Sequence, residues 1–157
     1  MNSIIETNQV TKEFVTKRGF LKRTTSITRA LDQVNVTINE NEIFGLIGES
    51  GSGKTSVKVA GYIVIISYIF QLWWFSEASV KHLGAAVSDP DFIVADEPVS
   101  MLDVSLRADI LNILINLKLK LKKSMMFISH DITVTQYVSD RIAVMHLGQI
   151  VEMGESG

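Results

Sequence analysis

Cysteine is absent from the 157-residue sequence, and only two prolines are present. Without cysteine the chain cannot form a disulfide or offer a thiolate to a metal ion, which fits a reducing compartment. Basic residues are not in excess, because 15 Lys and Arg stand against 17 Asp and Glu. A chain with a formal charge of −2 lacks a cationic surplus for neutralising phosphates, so we expect no nucleic acid partner. The first residues also lack the basic and apolar regions of a secretory signal.

Charged residues are missing from the whole of segment 59–76. Its eighteen residues are at the lower limit of a length that crosses a bilayer. The β-branched side chains of residues 63–66 instead favour a buried strand of a parallel sheet, and Gly61, Ser67 and Gln71 weaken the membrane interpretation. Three interpretations stay open for this segment: a buried strand, a membrane-inserted or interfacial segment, and a poorly folded one.

Residues 48–55 form the most specific pattern in the chain. They follow the apolar run 43–47 and have the G-x-x-x-x-G-K-T spacing of a phosphate-binding P-loop. Glycines allow backbone N–H groups to turn toward phosphate oxygens, and a helix after the loop adds its positive end. We predict that Lys54 reaches the β- and γ-phosphates and that Thr55 ligates Mg²⁺. The residues predicted to surround the phosphates are Gly48, Glu49, Ser50, Gly51, Ser52 and Gly53.

Strand and helix patterns alternate along the chain. The predicted strands are 4–10, 34–38, 43–47, 92–96, 125–129, 142–145 and 149–151, and the predicted helices are 106–121 and 132–138. Such alternation predicts an α/β fold with a mainly parallel sheet flanked by helices and an antiparallel β-subdomain from the N-terminal strands. The basic residues 17–23 predict a solvated loop, with a lipid-headgroup or partner contact as the alternative.

Acidic and imidazole side chains follow two of the predicted strands. Asp96 and Glu97 close the strand 92–96, and His130 follows the strand 125–129. In α/β folds ligands bind at the carboxyl ends of the strands. There Asp96 would organise Mg²⁺ and Glu97 would polarise the attacking water as general base. His130 would donate a hydrogen bond to the γ-phosphate. The alternatives are a solvated strand end for the acidic pair and a structural role for the histidine.

Together these motifs resemble the ATP-binding subunits of ABC transporters, most closely the dipeptide and oligopeptide importer group. Residues 43–55 resemble the Walker A region, 92–98 resemble Walker B, 100–103 resemble the D-loop and 131–154 resemble the closing segment, while His130 matches the switch histidine. The resemblance covers residues 4–55 and 89–154. It implies ATP and Mg²⁺ as ligands. The implied partners are membrane permease subunits, a second ATP-binding subunit and, indirectly, a solute-binding protein, at the cytoplasmic face of the cell membrane.

Three further residues receive roles from the same resemblance. Phe14 is placed where the family has the aromatic ring that stacks on adenine; the alternative is a core residue at a strand end. Asp103 matches a dimer-interface contact beside the nucleotide. Gln71 resembles the Q-loop glutamine that links Mg²⁺ to the permease, but it follows Lys54 early, and an ordinary polar residue at a strand end is the alternative.

The chain departs from the family between Lys54 and Asp96, which are only 42 positions apart. Further antiparallel strands and most of the helical subdomain that docks on the permease are expected to be missing. The Leu-Ser-Gly-Gly-Gln signature is also absent, and in its nearest match, residues 75–79, only Ser76 is shared. An internal deletion, an out-of-frame join and a minimal variant stay open for residues 56–88. We predict one nucleotide-binding domain over 1–157, shortened at 56–88 and without the group's C-terminal extension.

The missing signature changes the functional expectation. In this family ATP lies between two subunits, and each P-loop faces the signature of the partner. Phosphoryl transfer depends on positioning and charge stabilisation, so half a site should lose most of the rate. We expect a subunit that binds ATP to energise import of peptides or related solutes, with hydrolysis by the chain alone near background. The alternatives are a non-catalytic remnant or regulatory partner of an intact subunit, and a chain that does not fold stably.

Overall fold

The computed structural model describes residues 2–18, 24–49, 51–57, 90–100 and 102–157. Its strands are β1 (Ser3–Arg18), β2 (Thr24–Asn39), β3 (Ile43–Gly48), β4 (Phe92–Asp96), β5 (Ser124–Ser129), β6 (Arg141–His146) and β7 (Gln149–Glu155). Its helices are α1 (Val104–Leu121) and α2 (Ile132–Val138), and a 3₁₀ turn, Lys54–Val57, follows the P-loop. The segment 59–76, which contains Gln71, lies outside the described residues. Within the described ranges, no helix is both long enough and apolar enough to cross a membrane.

The central sheet has the strand order β4-β5-β3-β6-β7. The first four strands are parallel, and β7 is antiparallel to β6, which confirms the predicted mainly parallel sheet and its final hairpin. The carboxyl ends of β3, β4 and β5 therefore meet at one edge of the sheet. The predicted acidic strand β4 is not the direct neighbour of the P-loop strand, because β5 lies between them.

The N-terminal strands form a separate antiparallel hairpin that is longer than the sequence predicted. β1 and β2 pair as far as Arg18 and Thr24, so Lys17 and Arg18 belong to a strand and not to the predicted loop. The outer part of the hairpin is exposed on both sides: Phe14, Val15 and Ile27 have relative exposures of 49%, 58% and 61%. Without a buried face there is no apolar alternation, and a strand of this kind has no periodic signal in the sequence.

The central sheet is covered on both faces. On one face the β2 residues Leu31, Val34, Val36 and Ile38 pack on Phe44, Leu46, Val94, Met126 and Ile128 of the sheet. On the other face the α1 residues Ile110, Leu111 and Leu114 and the α2 residues Val134 and Val138 pack on Ile43, Ile93, Met125 and Phe127. Burial on both faces explains why the strands are continuous apolar runs.

Both helices begin at aspartates that follow strands of the sheet. The Asp103 side chain accepts from the Leu106 N–H at 3.0 Å and caps α1, and the Asp131 side chain accepts from the Val134 N–H at 3.1 Å and caps α2. α1 ends at Leu121 and is followed by its C-cap Lys122, whose φ of 57° is left-handed. The predicted helices over 106–121 and 132–138 are confirmed, and their caps place the helix starts near the edge where the strands end.

Arg141 joins the hairpin to the central sheet at the opposite edge. Its Nη1 donates to the Thr37 carbonyl at 3.1 Å and to the Glu42 carboxylate at 3.0 Å. The guanidinium also lies 5.4 Å from the centre of the Phe44 ring. Glu42 is buried, and its second carboxylate oxygen accepts from the Asn39 N–H at 2.6 Å. The two layers are thus connected by one buried, fully paired charge.

Candidate functional site

A cavity of about 760 Å³ opens at the carboxyl ends of β3, β4 and β5. Its lining residues are Ala30, Glu49, Gly51, Gly53, Lys54, Ser56, Asp96, Glu97, Ser100 and His130. The volume is within the range of pockets that bind small molecules and cofactors. The P-loop, the acidic pair and the histidine, which are far apart in the sequence, thus face the same cavity.

The P-loop turns sharply where β3 ends. Gly51 and Gly53 have φ values of 84° and 101°, in the left-handed region that favours glycine. The Ser52 N–H donates to the Glu49 carbonyl at 3.1 Å, and the Ser56 N–H donates to the Gly53 carbonyl at 2.8 Å, which starts the 3₁₀ turn. Ser50 lies outside the described residues, as does the side chain of Thr55, so their roles stay predictions.

Lys54 is folded back onto its own loop. Its Nζ donates to the carbonyl of Gly48 and, at 2.7 Å, to the carbonyl of Glu49. The side chain is buried at 8% relative exposure, so its ammonium depends on these neutral acceptors. An anionic phosphate oxygen is a stronger acceptor for an ammonium than a carbonyl is. The arrangement leaves Lys54 beside the cavity with acceptors that a phosphate can replace.

Glu97 has an unusual backbone conformation at the end of β4. Its φ is 49°, which is uncommon for a residue other than glycine. The Glu97 N–H donates to the Ile128 carbonyl of β5 at 2.9 Å, and the Ser100 hydroxyl donates to the Glu97 carbonyl at 3.1 Å. These bonds fix the turn and direct the chain from β4 across the end of β5, where His130 begins the next loop.

Glu97 and His130 form a side-chain pair at the cavity. The Glu97 Oε1 atom lies 2.9 Å from the His130 Nδ1 atom. The second carboxylate oxygen, Oε2, is buried and has no hydrogen-bond partner among the residues that the structure describes. Buried acceptors without a partner are rare in folded proteins, and a water or a ligand in the cavity can supply the donor. A proton on Nδ1 would leave the Nε2 atom of His130 available to a ligand.

Phe14 and Asp103 do not line the cavity in the single chain. Phe14 is half exposed on β1, with the Lys12 ammonium 5.6 Å from its ring centre, so the alternative of a core residue is wrong. The Asp103 side chain accepts from the Leu106 N–H and from the Ser105 hydroxyl at 2.8 Å, and these bonds lower the pKa of Asp103 below its ordinary value. The adenine and dimer-interface roles of these residues stay predictions, as does the metal role of Gln71.

Sequence reasoning missed several residues of the site. Ala30 lines the cavity from β2, but a single small residue in a strand gives no sequence signal. Ser100 lies in the D-loop-like segment, and its position after Glu97 could have identified it. Ser56 also lines the cavity, in the 3₁₀ turn that follows the P-loop. The predicted Ser52 has a buried hydroxyl with no hydrogen-bond partner in the described part of the chain.

The sequence is similar to curated peptide-import proteins, although no family model matches it. A protein of Brucella ovis named "Putative peptide import ATP-binding protein" is 30% identical, and the match covers 88% of this chain and 71% of the relative. A protein of the same description from Brucella abortus gives the same values. The match extends over 225 aligned positions, more than the 157 residues of the chain, so these relatives have internal residues that the chain lacks. The oligopeptide transport ATP-binding protein OppF of Streptococcus pyogenes serotype M1 is 45% identical over 85 residues, which are 52% of this chain and 28% of that protein.

Solved structures show the same fold at lower identity. The ATP-binding cassette MJ0796, in a dimeric post-hydrolysis state bound to ADP and Pi, has a TM-score of 0.72 at 17% identity, covering 97% of this chain and 98% of that one. The ADP conformation of the cassette MJ1267 has a TM-score of 0.71 at 19% identity, covering 99% and 92%. The structures establish the cassette fold, and the Brucella relatives establish the family. The chain belongs to the family of ATP-binding proteins of peptide-importing ABC transporters.

Proposed function

We propose that the chain binds ATP in this cavity and acts as the ATP-binding subunit of an importer for peptides or related solutes. One observation supports this most strongly: Lys54 of the P-loop, Asp96 and the Glu97–His130 pair all face a single cavity of about 760 Å³. The P-loop, the acidic pair at the end of β4 and His130 belong to three different segments, and only the fold brings them together. The names of the Brucella and Streptococcus relatives, which describe peptide import and oligopeptide transport, agree with this proposal.

Mg²⁺ fits the site as a partner of the nucleotide. No group of three or more His, Cys, Asp or Glu residues in the described ranges is arranged to hold a metal ion. Mg²⁺ commonly binds through one or two protein oxygens together with substrate phosphates, so the metal would arrive with ATP. The residues that would hold it are Thr55, Asp96 and Gln71. When bound, it neutralises charge on the β- and γ-phosphates.

Glu97 and His130 are the proposed catalytic residues. The buried Oε2 of Glu97 would accept a hydrogen bond from the attacking water and orient it. His130, paired with Oε1 through Nδ1, would keep the carboxylate in position and present Nε2 to the γ-phosphate. Both residues would act by orientation and electrostatics, which is the main protein contribution to phosphoryl transfer.

A complete site would need a second ATP-binding subunit. The chain lacks the Leu-Ser-Gly-Gly-Gln signature, and its relatives contain internal residues that it does not have. We therefore place the shortening at residues 56–88 of a single domain. A partner could supply a signature to this P-loop, but this chain could not return one. Phe14 would stack on adenine and Asp103 would contact the partner. The complex would dock on permease subunits at the cytoplasmic face of the membrane, with a solute-binding protein as an indirect partner.

A non-catalytic role is the second candidate. The same missing residues favour it, because a chain that binds ATP without completing the partner's site could only regulate an intact subunit. Both candidates need nucleotide binding, and they differ in turnover.

Calorimetric titration with ATP and Mg²⁺ tests nucleotide binding. Lys54→Ala removes the one ammonium that faces the cavity from the P-loop, and the loss of a charge-assisted hydrogen bond should raise the Kd by about 10- to 100-fold. Lys120→Ala is the matched control, because Lys120 is exposed on α1, outside the cavity wall, and should bind ATP like the unmodified chain. Equal affinity of the Lys54 and Lys120 variants would contradict the proposal.

A further inference from the structure

Gly148, in the turn between β6 and β7, connects the P-loop to the hairpin layer. Its N–H donates to the Ser52 carbonyl of the P-loop at 2.8 Å. Its carbonyl accepts from the Asp32 N–H of β2 at 2.9 Å. Gly148 is buried, so both bonds are shielded from water. A residue that does not line the cavity is thus bonded directly to the loop that does.

Glycine is required at this contact for space and for conformation. A Cβ built on Gly148 would lie 2.9 Å from the Ala30 carbonyl oxygen, and a Cβ on Gly53 would lie 2.1 Å from the same atom. Gly148 has a φ of 83° and Leu147 a φ of 46°, the two left-handed residues of a type I′ hairpin turn. The turn, the P-loop and β2 therefore approach one another as closely as bare backbone permits.

The turn is attached to β2 independently of the P-loop. The Gln149 side-chain amide donates to the Asp32 carboxylate at 2.8 Å. The other oxygen of that carboxylate accepts from Arg29 at 3.2 Å, which holds Asp32 in place. The Gly148 N–H is therefore a fixed donor on a supported turn.

We propose that Gly148 is a positioning residue that sets the direction of a phosphate-binding N–H in the P-loop. A trans peptide directs its C=O and N–H to opposite sides, and no cis peptide occurs in the described residues. Because the Ser52 carbonyl is directed at Gly148, the Gly53 N–H of the same peptide is directed away from Gly148, and Gly53 is one of the residues that line the cavity. The donor is then oriented before the ligand arrives. The inference rests on the proposed nucleotide binding.

The test combines ADP titration with NMR of the Gly53 amide. Gly148→Ala adds a methyl group that meets only backbone atoms, at 2.9 Å from the Ala30 oxygen and 3.3 Å from the Leu31 Cα, so the turn must move. Loss of one oriented hydrogen bond to a charged phosphate should raise the Kd for ADP by about 10- to 100-fold. The Gly53 amide resonance, which should shift when ADP binds the unmodified chain, should no longer do so.

Gly154→Ala is the matched control. It makes the same substitution in β7, where a Cβ meets nothing within 4 Å, and it should leave both the ADP affinity and the Gly53 response unchanged. If the unmodified chain does not bind ADP, the proposed function is wrong and this inference with it. If that chain binds and folded Gly148→Ala binds equally well, only the inference is overturned. If Gly148→Ala does not fold, the Gly53 amide of the unmodified chain decides: a shift of its resonance when ADP binds supports the inference, and an unchanged resonance with ADP bound overturns it.

Discussion

At the scale of single residues, the candidate site contains buried polar atoms that could still form hydrogen bonds with a ligand. Within the described residues, the buried Oε2 of Glu97 and the hydroxyl of Ser52 lack hydrogen-bond partners. There the Lys54 ammonium donates only to carbonyls of its own loop. Unpaired buried polar atoms destabilise a fold by about 1–3 kcal/mol each, so pairing with a water or a ligand would stabilise these two oxygen atoms. Lys54 and Glu97 line the cavity, and Ser52 lies between Gly51 and Gly53, which also line it.

The helix cap formed by Asp103 predicts how the stability of the fold depends on pH. Hydrogen bonds from the Leu106 N–H and the Ser105 hydroxyl lower the pKa of Asp103 in the folded chain below its ordinary 3.8. The cap therefore stabilises the fold fully above pH 3.8, and this stabilisation is lost as the pH falls through the lower pKa of the folded state. At neutral pH, Asp103→Ala should lower the midpoint of thermal unfolding by about 2–4 °C, as loss of a helix cap does.

Thermal unfolding followed by circular dichroism at several pH values measures this effect. The difference between Asp103→Ala and the unmodified chain should shrink as the pH drops below 3.8. Asp109→Ala, an exposed change on the same helix, is the control and should alter the midpoint little. A difference that persisted undiminished in acid would rule out the carboxylate cap as its cause.

At the scale of elements, the connection between the hairpin and the central sheet depends on Arg141. Its partner Glu42 has a side chain that is only 6% exposed, and the two lie 3.0 Å apart. Arg141→Met would leave that carboxylate buried without its cation, and such a change lowers the free energy of unfolding by about 3–5 kcal/mol. Urea unfolding measures the loss.

A control variant and a double variant show whether the loss of the buried charge pair causes the Arg141 effect. Arg29→Met removes a cation whose partners Glu13 and Asp32 are at the surface, and it should change the free energy of unfolding little. The double variant Glu42→Gln with Arg141→Met removes both charges and should recover part of the loss. An Arg141→Met chain as stable as Arg29→Met would show that the buried pair does not hold the layers together.

Periodic burial decides which elements the sequence could predict. α1 and α2 each bury one face, so their apolar spacing predicted them closely, and the strands of the central sheet bury both faces, so continuous apolar runs predicted them. The outer hairpin buries neither face, and its length was missed. The P-loop, Asp96, Glu97 and His130 were predictable because their spacing is specific. Ala30 and Gly148 were not, because their roles depend on backbone atoms of distant segments that meet only in the fold.

At the scale of the whole molecule, the chain has a cavity beside its P-loop but lacks internal residues that its relatives have. The likeness to the cassette MJ0796 covers 97% of the chain, yet the Brucella relatives have internal residues that the chain lacks, and the family signature is absent from its sequence. In the arrangement that the family resemblance implies, a partner subunit supplies the donors on the opposite side of the phosphates. We therefore expect binding without appreciable turnover unless an intact partner supplies the opposing donors.

Recovery of nucleotide from the isolated complex tests this central claim most directly. The purified chain is incubated with ATP and Mg²⁺, separated from free nucleotide by gel filtration, and its bound nucleotide is identified by ion-exchange chromatography. We predict that the chain elutes with ATP that is still intact, and that the Lys54→Ala chain elutes without nucleotide. Recovery of ADP from the unmodified chain, with intact ATP recovered from Glu97→Gln, would show that the chain hydrolyses ATP alone and would contradict the account.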